Sequence, residues 1–293
     1  PARRPARWRA YAIAATLAVG GLAGWFVSRD QTPSVPRQIA TVELESGAEA
    51  VGFMDEESDG TFDVTVGDEL PAGVRLATGG GNGQPAGRLA IRMTGGESVR
   101  LDSRTRVRLA SVSRLELLQG AVYVDSDPEI DSGTPLEIVT PLGVVRHLGT
   151  QYEVRLDAIA STVRVRVREG SVSVRNNGDS WAAQRGEELT LETDGSVSRG
   201  SVDPAAVEWV WIVAAAPALD IEGMPLDDFL RWIARETGWV LEYQDQELER
   251  SAAEVLLHGT VEGLRPDEAV GVVIEGSGLA HRLENGVLYL SRP

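Results

Sequence analysis

The chain has 293 residues, with 44 acidic side chains against 28 basic ones and no cysteine. No disulfide framework, thiolate nucleophile or Cys-ligated metal is therefore available, and a net charge of -16 sets long-range repulsion against phosphate backbones and anionic lipid, so nucleic acid is not an expected partner. The length suits two domains of ordinary size.

The chain opens basic and then turns apolar. Arg3, Arg4, Arg7 and Arg9 lie in residues 1–10, a cytoplasmic stub, and Tyr11 to Val27 runs 17 residues without a charge. As a helix that run is about 26 Å long, close to the ~30 Å hydrocarbon thickness, with Trp8 and Trp25 at the interfacial levels. Four Arg before the run and Arg29 after it place the N-terminus in the cytoplasm and export the remainder. A cleaved signal peptide is the competing reading, but no clean small-x-small cleavage site stands between Gly20 and Gln31, where the Trp25-Phe26 pair sits awkwardly. Residues 28–38, with Pro33 and Pro36, form a polar linker.

Asp55, Glu57, Asp59 and Asp63 have part of the spacing of a calcium loop, yet Val66 stands where the bidentate carboxylate belongs; a solvated acidic hairpin is the alternative. Gly79 to Gly83 lacks the Lys and the strand-to-helix setting of a phosphate cradle.

Residues 39–202 read as an all-β domain. Valines alternate through Val163, Val165 and Val167 and again through Val172 and Val174, which puts one row into a core and the other into water. Gly143, Gly149 and Gly170 punctuate the run as turns or bulges. A hydrophobic-x-x-Gly-x-Val-x-Val pattern covers Leu117–Val124 and Val167–Val174, with a weaker copy over Arg146–Val154. Such repetition predicts stacked rungs of a twisted solenoid or a sandwich. Arg104, Arg106 and Arg108 alternate, as do Arg164, Arg166 and Arg168. Side by side, these strands would build an Arg-rich face for an anionic polymer or an acidic partner; otherwise Glu129, Glu137, Glu187, Glu188 and Glu192 neutralise it.

The stretch Thr140 to Val174, reading T-P-L-G-V-V-R-H-L-G-T-Q-Y-E-V and then T-V-R-V-R-V-R-E-G-S-V-S-V, resembles the core of FecR-type domains. A looser likeness extends upstream through Gly67–Leu70, Gly95–Leu101 and Leu115–Gly120. The resemblance implies the periplasmic part of an inner-membrane regulator, which relays the occupancy of an outer-membrane TonB-dependent receptor to an extracytoplasmic-function (ECF) sigma factor. Such regulators carry a sigma-binding segment ahead of the membrane helix. This chain begins with Pro1 and ten residues before its apolar run, so that contact is expected through a segment preceding the sequence given.

After Asp203-Pro204 the period changes. Residues 203–218, with Trp209 and Trp211, are too short to span a bilayer and read as a buried strand or packing segment. In residues 219–293, Leu226, Phe229, Leu230 and Ile233 predict a helix between Pro225 and Gly238. Trp239–Tyr243 and Val255–Val261 read as strands, Pro266–Glu275 as a second helix, and Leu279–Leu290 as a hairpin about Asn285-Gly286. With Leu219–Ile221 as a first strand, the order is βαβ-βαβ. On the residues Ile221–Leu230, Glu236–Gly238, Gly263–Val270 and Gly276–Leu279, this region resembles the small STN module of secretins and TonB-dependent receptors. The expected fold is thus mainly β, an all-β domain followed by a small α+β one.

Candidate contact residues for a partner are Trp232, Arg231 and Arg235 on the first helix and Arg164, Arg166 and Arg168 on the sheet. His147, His258 and His281 have no ligand or nucleophile at a recognised spacing, and Ser277 lacks the context of a hydrolase. No catalytic, metal or cofactor residue is assigned. The expectation is a single-pass inner-membrane protein that binds the periplasmic signalling domain of a TonB-dependent receptor. An envelope scaffold that binds anionic polysaccharide or peptidoglycan is the alternative.

Overall fold

The computed structural model describes residues 38–47, 50–53, 61–80, 86–126, 134–147, 149–157 and 159–293. The apolar run 11–27 and most of the acidic stretch 55–63 lie outside them. Among the described residues no helix is long and apolar enough to cross a membrane.

Seventeen strands form one hydrogen-bonded network that divides into two sheets sharing a single strand, β9 (Arg114–Asp125). In spatial order, the first sheet runs β4 (Glu69–Pro71), β1 (Gln38–Ser46), β6 (Arg88–Met93), β7 (Ser98–Leu101), the C-terminal half of β9, β12 (Gln151–Asp157), β13 (Thr162–Glu169), β16 (Glu187–Leu191) and β17 (Val197–Ser201). The second runs β3 (Thr61–Asp63), β2 (Ala50–Phe53), β5 (Arg75–Thr78), β8 (Arg106–Ser111), the N-terminal half of β9, β10 (Glu137–Thr140), β11 (Gly143–His147), β14 (Ser171–Asn176) and β15 (Asp179–Gln184). All these pairs are antiparallel except β9 with β10.

The register explains the alternation. Leu89, Leu101, Val122, Val154, Val165 and Leu189 stand opposite one another across six strands of the first sheet, and every one is fully buried. Cross-strand apolar pairs of this kind are the unit from which a sheet gains stability. They join Leu76, Val107, Leu115, Val145, Val172 and Val174 of the second sheet in one core.

The repeated glycine pattern marks corners rather than solenoid rungs. At Gly120, β9 crosses from the second sheet to the first; at Gly170, the chain leaves β13 in the first sheet for β14 in the second. Both residues have positive φ, 83° and 72°. A Cβ at Gly170 would lie 2.3 Å from the Gly149 carbonyl oxygen, so any other residue would force the corner open. Gly149, in the third copy, lies between β11 of the second sheet and β12 of the first.

Residues 219–293 form a separate core, and residues 203–218 lead into it. The 3-10 turn Val207–Trp209 runs into a single helical turn, α1 (Val210–Val213), so this segment packs as short helix and not as strand. Helix α2 (Leu226–Thr237) follows, then β18 (Val240–Tyr243), α3 (Gln246–Glu254), α4 (Pro266–Ser277), β19 (Ala280–Glu284) and β20 (Val287–Ser291). The sheet order is β18-β20-β19, with β18 parallel to β20. Asn285 and Gly286 take φ of 51° and 76°, as a tight hairpin with two left-handed residues requires.

Two expectations fail in this region. Leu219–Ile221 is not a strand, and Val255–Val261 contributes one isolated bridge, Pro225 to Leu256, instead of a strand. That segment is instead an extended connection tied to the start of α2: Leu226 N donates to Val255 O, and Leu257 N to Met224 O, both at 2.8 Å. Helix α3 was not anticipated. It starts at Asp245, whose carboxylate accepts from Leu248 N at 2.8 Å, and it buries only Leu248 and Ala252, too few apolar positions to show a period.

Candidate functional site

The register that buries one row of the first sheet turns its neighbour outward. Arg100, Tyr123, Glu153, Arg166 and Glu188 form that row, on β7, β9, β12, β13 and β16. Beside it lie Ser98, Asp125, Gln151 and Glu169. On an ordinary sheet such residues face water. Here Arg100 is 1% exposed, because residues 203–218 and the end of α2 cover it.

Residues 203–218 act as a strap, anchored by two indoles. Trp209 meets Tyr123 edge-on at 6.4 Å and lies under the Arg168 guanidinium, while its Nε1 donates to Asp203 O at 2.8 Å. The Trp211 Nε1 donates to Glu153 Oε1 at 3.1 Å. Ile212, fully buried, offers its carbonyl to Arg100 Nη1 at 2.9 Å.

The C-terminal turn of α2 completes the junction. The Arg100 guanidinium grips the Glu236 carboxylate through both oxygens, at 2.6 and 2.7 Å. Arg168 Nη1 donates to the Glu236 backbone carbonyl and its Nε to Pro204 O, each at 2.9 Å. Arg235 Nη2 reaches the Asp125 carboxylate and, at 3.2 Å, Ser126 O. Gln151 Nε2 donates to Asp125 at 3.0 Å and to the Arg235 carbonyl at 3.3 Å. Donors from the sheet thus satisfy carbonyls that a helix end leaves open. Burial works against the Arg100 charge, but Glu236 outweighs it, and the guanidinium is held even more firmly protonated than usual. Burial likewise pushes the Tyr123 hydroxyl up, keeping it neutral between the two arginines.

Two clefts adjoin this clamp. One, of about 300 Å³, lies among Arg168, Trp209, Val210, Val213, Thr237 and Trp239. The other, also about 300 Å³, lies among Arg92, Arg100, Asp125, Leu219, Trp232 and Arg235.

The expected contact residues fall into two groups. Arg164, Arg166 and Arg168 share an outward face, but that face is not a free cationic surface. Arg168 is 2% exposed inside the junction, Arg166 pairs with Glu188 at 2.6 Å, and Arg164 lies 3.8 Å from the same carboxylate. Nor do Arg104, Arg106 and Arg108 adjoin them, since β8 pairs with β5 and β9 whereas β13 pairs with β12 and β16. On α2, Arg235 is drawn into the clamp, while Arg231 stays exposed and pairs with Asp227 at 2.8 Å and Glu249 at 3.1 Å. Trp232 is half-buried against Phe229 and walls one cleft. Glu236 was missed although a signal existed: an acid in the last turn of a helix opposes the macrodipole and calls for an external cation.

The histidines are structural or exposed. His147 is buried, with Nδ1 3.1 Å from Ser126 Oγ and Nε2 accepting from Leu136 N at 3.1 Å, and burial followed by nearby Arg146 lowers its pKa to about 4. His258 is exposed against Glu222 at 2.8 Å. Among the described residues no group of three His, Asp or Glu side chains is placed to hold a metal.

Two crystal structures of a candidate anti-sigma factor from Parabacteroides distasonis ATCC 8503 align with TM-score 0.41, at 16% and 15% identity, over 75% of this chain and 98% and 99% of theirs. No curated protein matches significantly. Residues 74–173, which run from the start of β5 through the corner into β14 and so contain Arg100, Tyr123, Glu153, Arg166 and Arg168, match the family model described as FecR protein.

Proposed function

We propose that this chain is an inner-membrane-anchored, periplasmic signal-transducing regulator of FecR type, acting through protein–protein contacts rather than chemistry. The observation that carries the proposal is the FecR match over residues 74–173, the stretch that supplies the sheet half of the clamp. In this reading residues 11–27 span the membrane, and the C-terminal module, which resembles STN modules, docks the periplasmic signalling domain of a TonB-dependent receptor. The sheets carry its occupancy toward the membrane and an ECF sigma factor. The scaffold alternative relied on an Arg-rich face, and of its arginines Arg164 and Arg166 lie against Glu188 while Arg168 is held by Glu236 and the strap.

Capture from a detergent extract on purified receptor signalling domains tests the reading. Retention that survives moderate salt and is lost when residues 219–293 are deleted is the expected result. Failure to retain the chain on any receptor domain of the same genome, with sedimentation on peptidoglycan instead, would sink it.

A further inference from the structure

The sheets and the C-terminal module have separate apolar cores, and among the described residues no hydrophobic cluster joins one to the other. The cluster at the junction consists of Ala121, Tyr123 and Val202 with Trp209, Trp211 and Ile212, so it fixes the strap to the sheet and not the module. What ties residues 219–293 directly to the sheets is polar: Arg100 and Arg168 on Glu236, and Asp125, Gln151, Ser126 and Glu169 around Arg235. Two clefts, each of about 300 Å³, adjoin that contact. Between the anchored part of the strap and the module runs Ala214-Ala215-Ala216-Pro217-Ala218. Among the described residues, the next backbone bond donated after Ala216 N to Val213 O is Gly223 N to Leu257 O, inside the module.

We infer that the module is a hinged arm, held on the first sheet by the ionic clamp at Glu236 and able to swing about residues 214–218 while the anchored part of the strap, residues 203–213, stays in place. Separation from the sheet parts no apolar cluster shared by the described residues of the two, and the groups it releases are carboxylates and guanidinium ions, which water solvates well. A core-to-core interface would lack both properties, because parting it would uncover apolar area. The strap's two indoles make sure that only residues beyond the hinge move. The clamp therefore gives the molecule two arrangements, and a partner that holds the module by its α2 side biases which of them is populated.

Because the chain has no cysteine, a pair of spin labels can be placed cleanly through Ser198→Cys on β17 and Ser251→Cys on α3, both exposed. Distances are read by double electron–electron resonance on the full chain in detergent. The parent should give one dominant short distance. Glu236→Gln, which removes the counter-charge of a buried guanidinium, should raise the longer-distance population about tenfold or more, while the thermal midpoint of the sheet signal stays put. Arg235→Gln, at a partly exposed position, should shift the same populations less. Unchanged distances in both variants would overturn the inference, as would a fall in the sheet's midpoint without any lengthening, because each describes a fixed joint. Should Glu236→Gln not fold, the Arg235→Gln result decides alone.

Discussion

The sheets and the C-terminal module differ in how their sequence is converted into contacts. In the sheets nearly every alternate residue is buried against both layers, and the polar row left over is captured by a separate part of the chain. In the module, amphipathic helices close over three short strands, and the residues that leave the core, Arg235 and Glu236, face the sheet. A dry core thus organises each body internally, and charge organises the relation between them. Dry cores need volume and period; the clamp needs particular atoms at particular positions.

The sharpest way to break this contrast is to empty the module's core and watch the sheets. Phe229 is fully buried, and Phe229→Ala should cost the module about 3–5 kcal/mol. Hydrogen exchange should then show lost protection in α2, α4 and β20 but not in β9, β12 or β13. Equal loss in both regions would mean that the two fold as one unit and that the contrast is false.

Truncation within the clamp comes next. Arg100→Ala leaves the Glu236 carboxylate buried without its cation and should cost about 3–5 kcal/mol, whereas the double replacement Arg100→Met with Glu236→Leu should come out near neutral, because an apolar pair needs no compensation there. A double-mutant cycle by denaturant unfolding checks this; additive losses would show that the two residues do not act as a pair.

The glycine corners sharpen the account of the sheets. Gly170→Ala meets a backbone oxygen in a left-handed conformation and should cost more than Gly178→Ala, where φ is also positive, 95°, but nothing lies within 4 Å. The second should lose about 1 kcal/mol from strain alone, the first about 2–3 kcal/mol. Equal effects would remove the corner's special status.

A pH experiment separates the regions again. His147 has a folded pKa near 4, below the ordinary value of 6.5. Between those values the unfolded chain holds more protons than the folded one, so the sheets lose stability as pH falls below about 6.5, and the loss levels off near 4. His147→Gln should flatten that limb of the curve, read as unfolding midpoint against pH. An unaltered slope would assign the acid sensitivity elsewhere.

Much of this was legible in the sequence. Val163, Val165 and Val167, or Leu226, Phe229, Leu230 and Ile233, announce their elements through a period, because burial on one side is a repeating demand. Helix α3 was not legible, since two buried residues make no period. The glycine repeat leaves a solenoid and a sandwich both open, and the structure takes the second; period alone cannot say whether the chain stacks or crosses at a glycine. The Arg row was seen too, as a surface. That it lies under a strap depends on Trp209 and Trp211 returning to β9 and β12 from tens of residues away, and such tertiary pairing leaves no local trace.

The smallest predicted effect concerns the arginine that looks most like its clamped neighbour. Arg231 lies one helical turn before Arg235 and also pairs with two carboxylates, but its side chain is 57% exposed, against 30% for Arg235. Water and salt already screen its charge, and its long side chain loses entropy when held. Arg231→Ala should therefore change stability by no more than about 0.5 kcal/mol, whereas Arg235→Ala, which strips the part-buried Asp125 of its arginine, should cost several times that. Thermal unfolding of both variants at low and high salt compares them directly. If Arg231→Ala proves the costlier, stability lies in the module's own surface pairs rather than in its contact with the sheet.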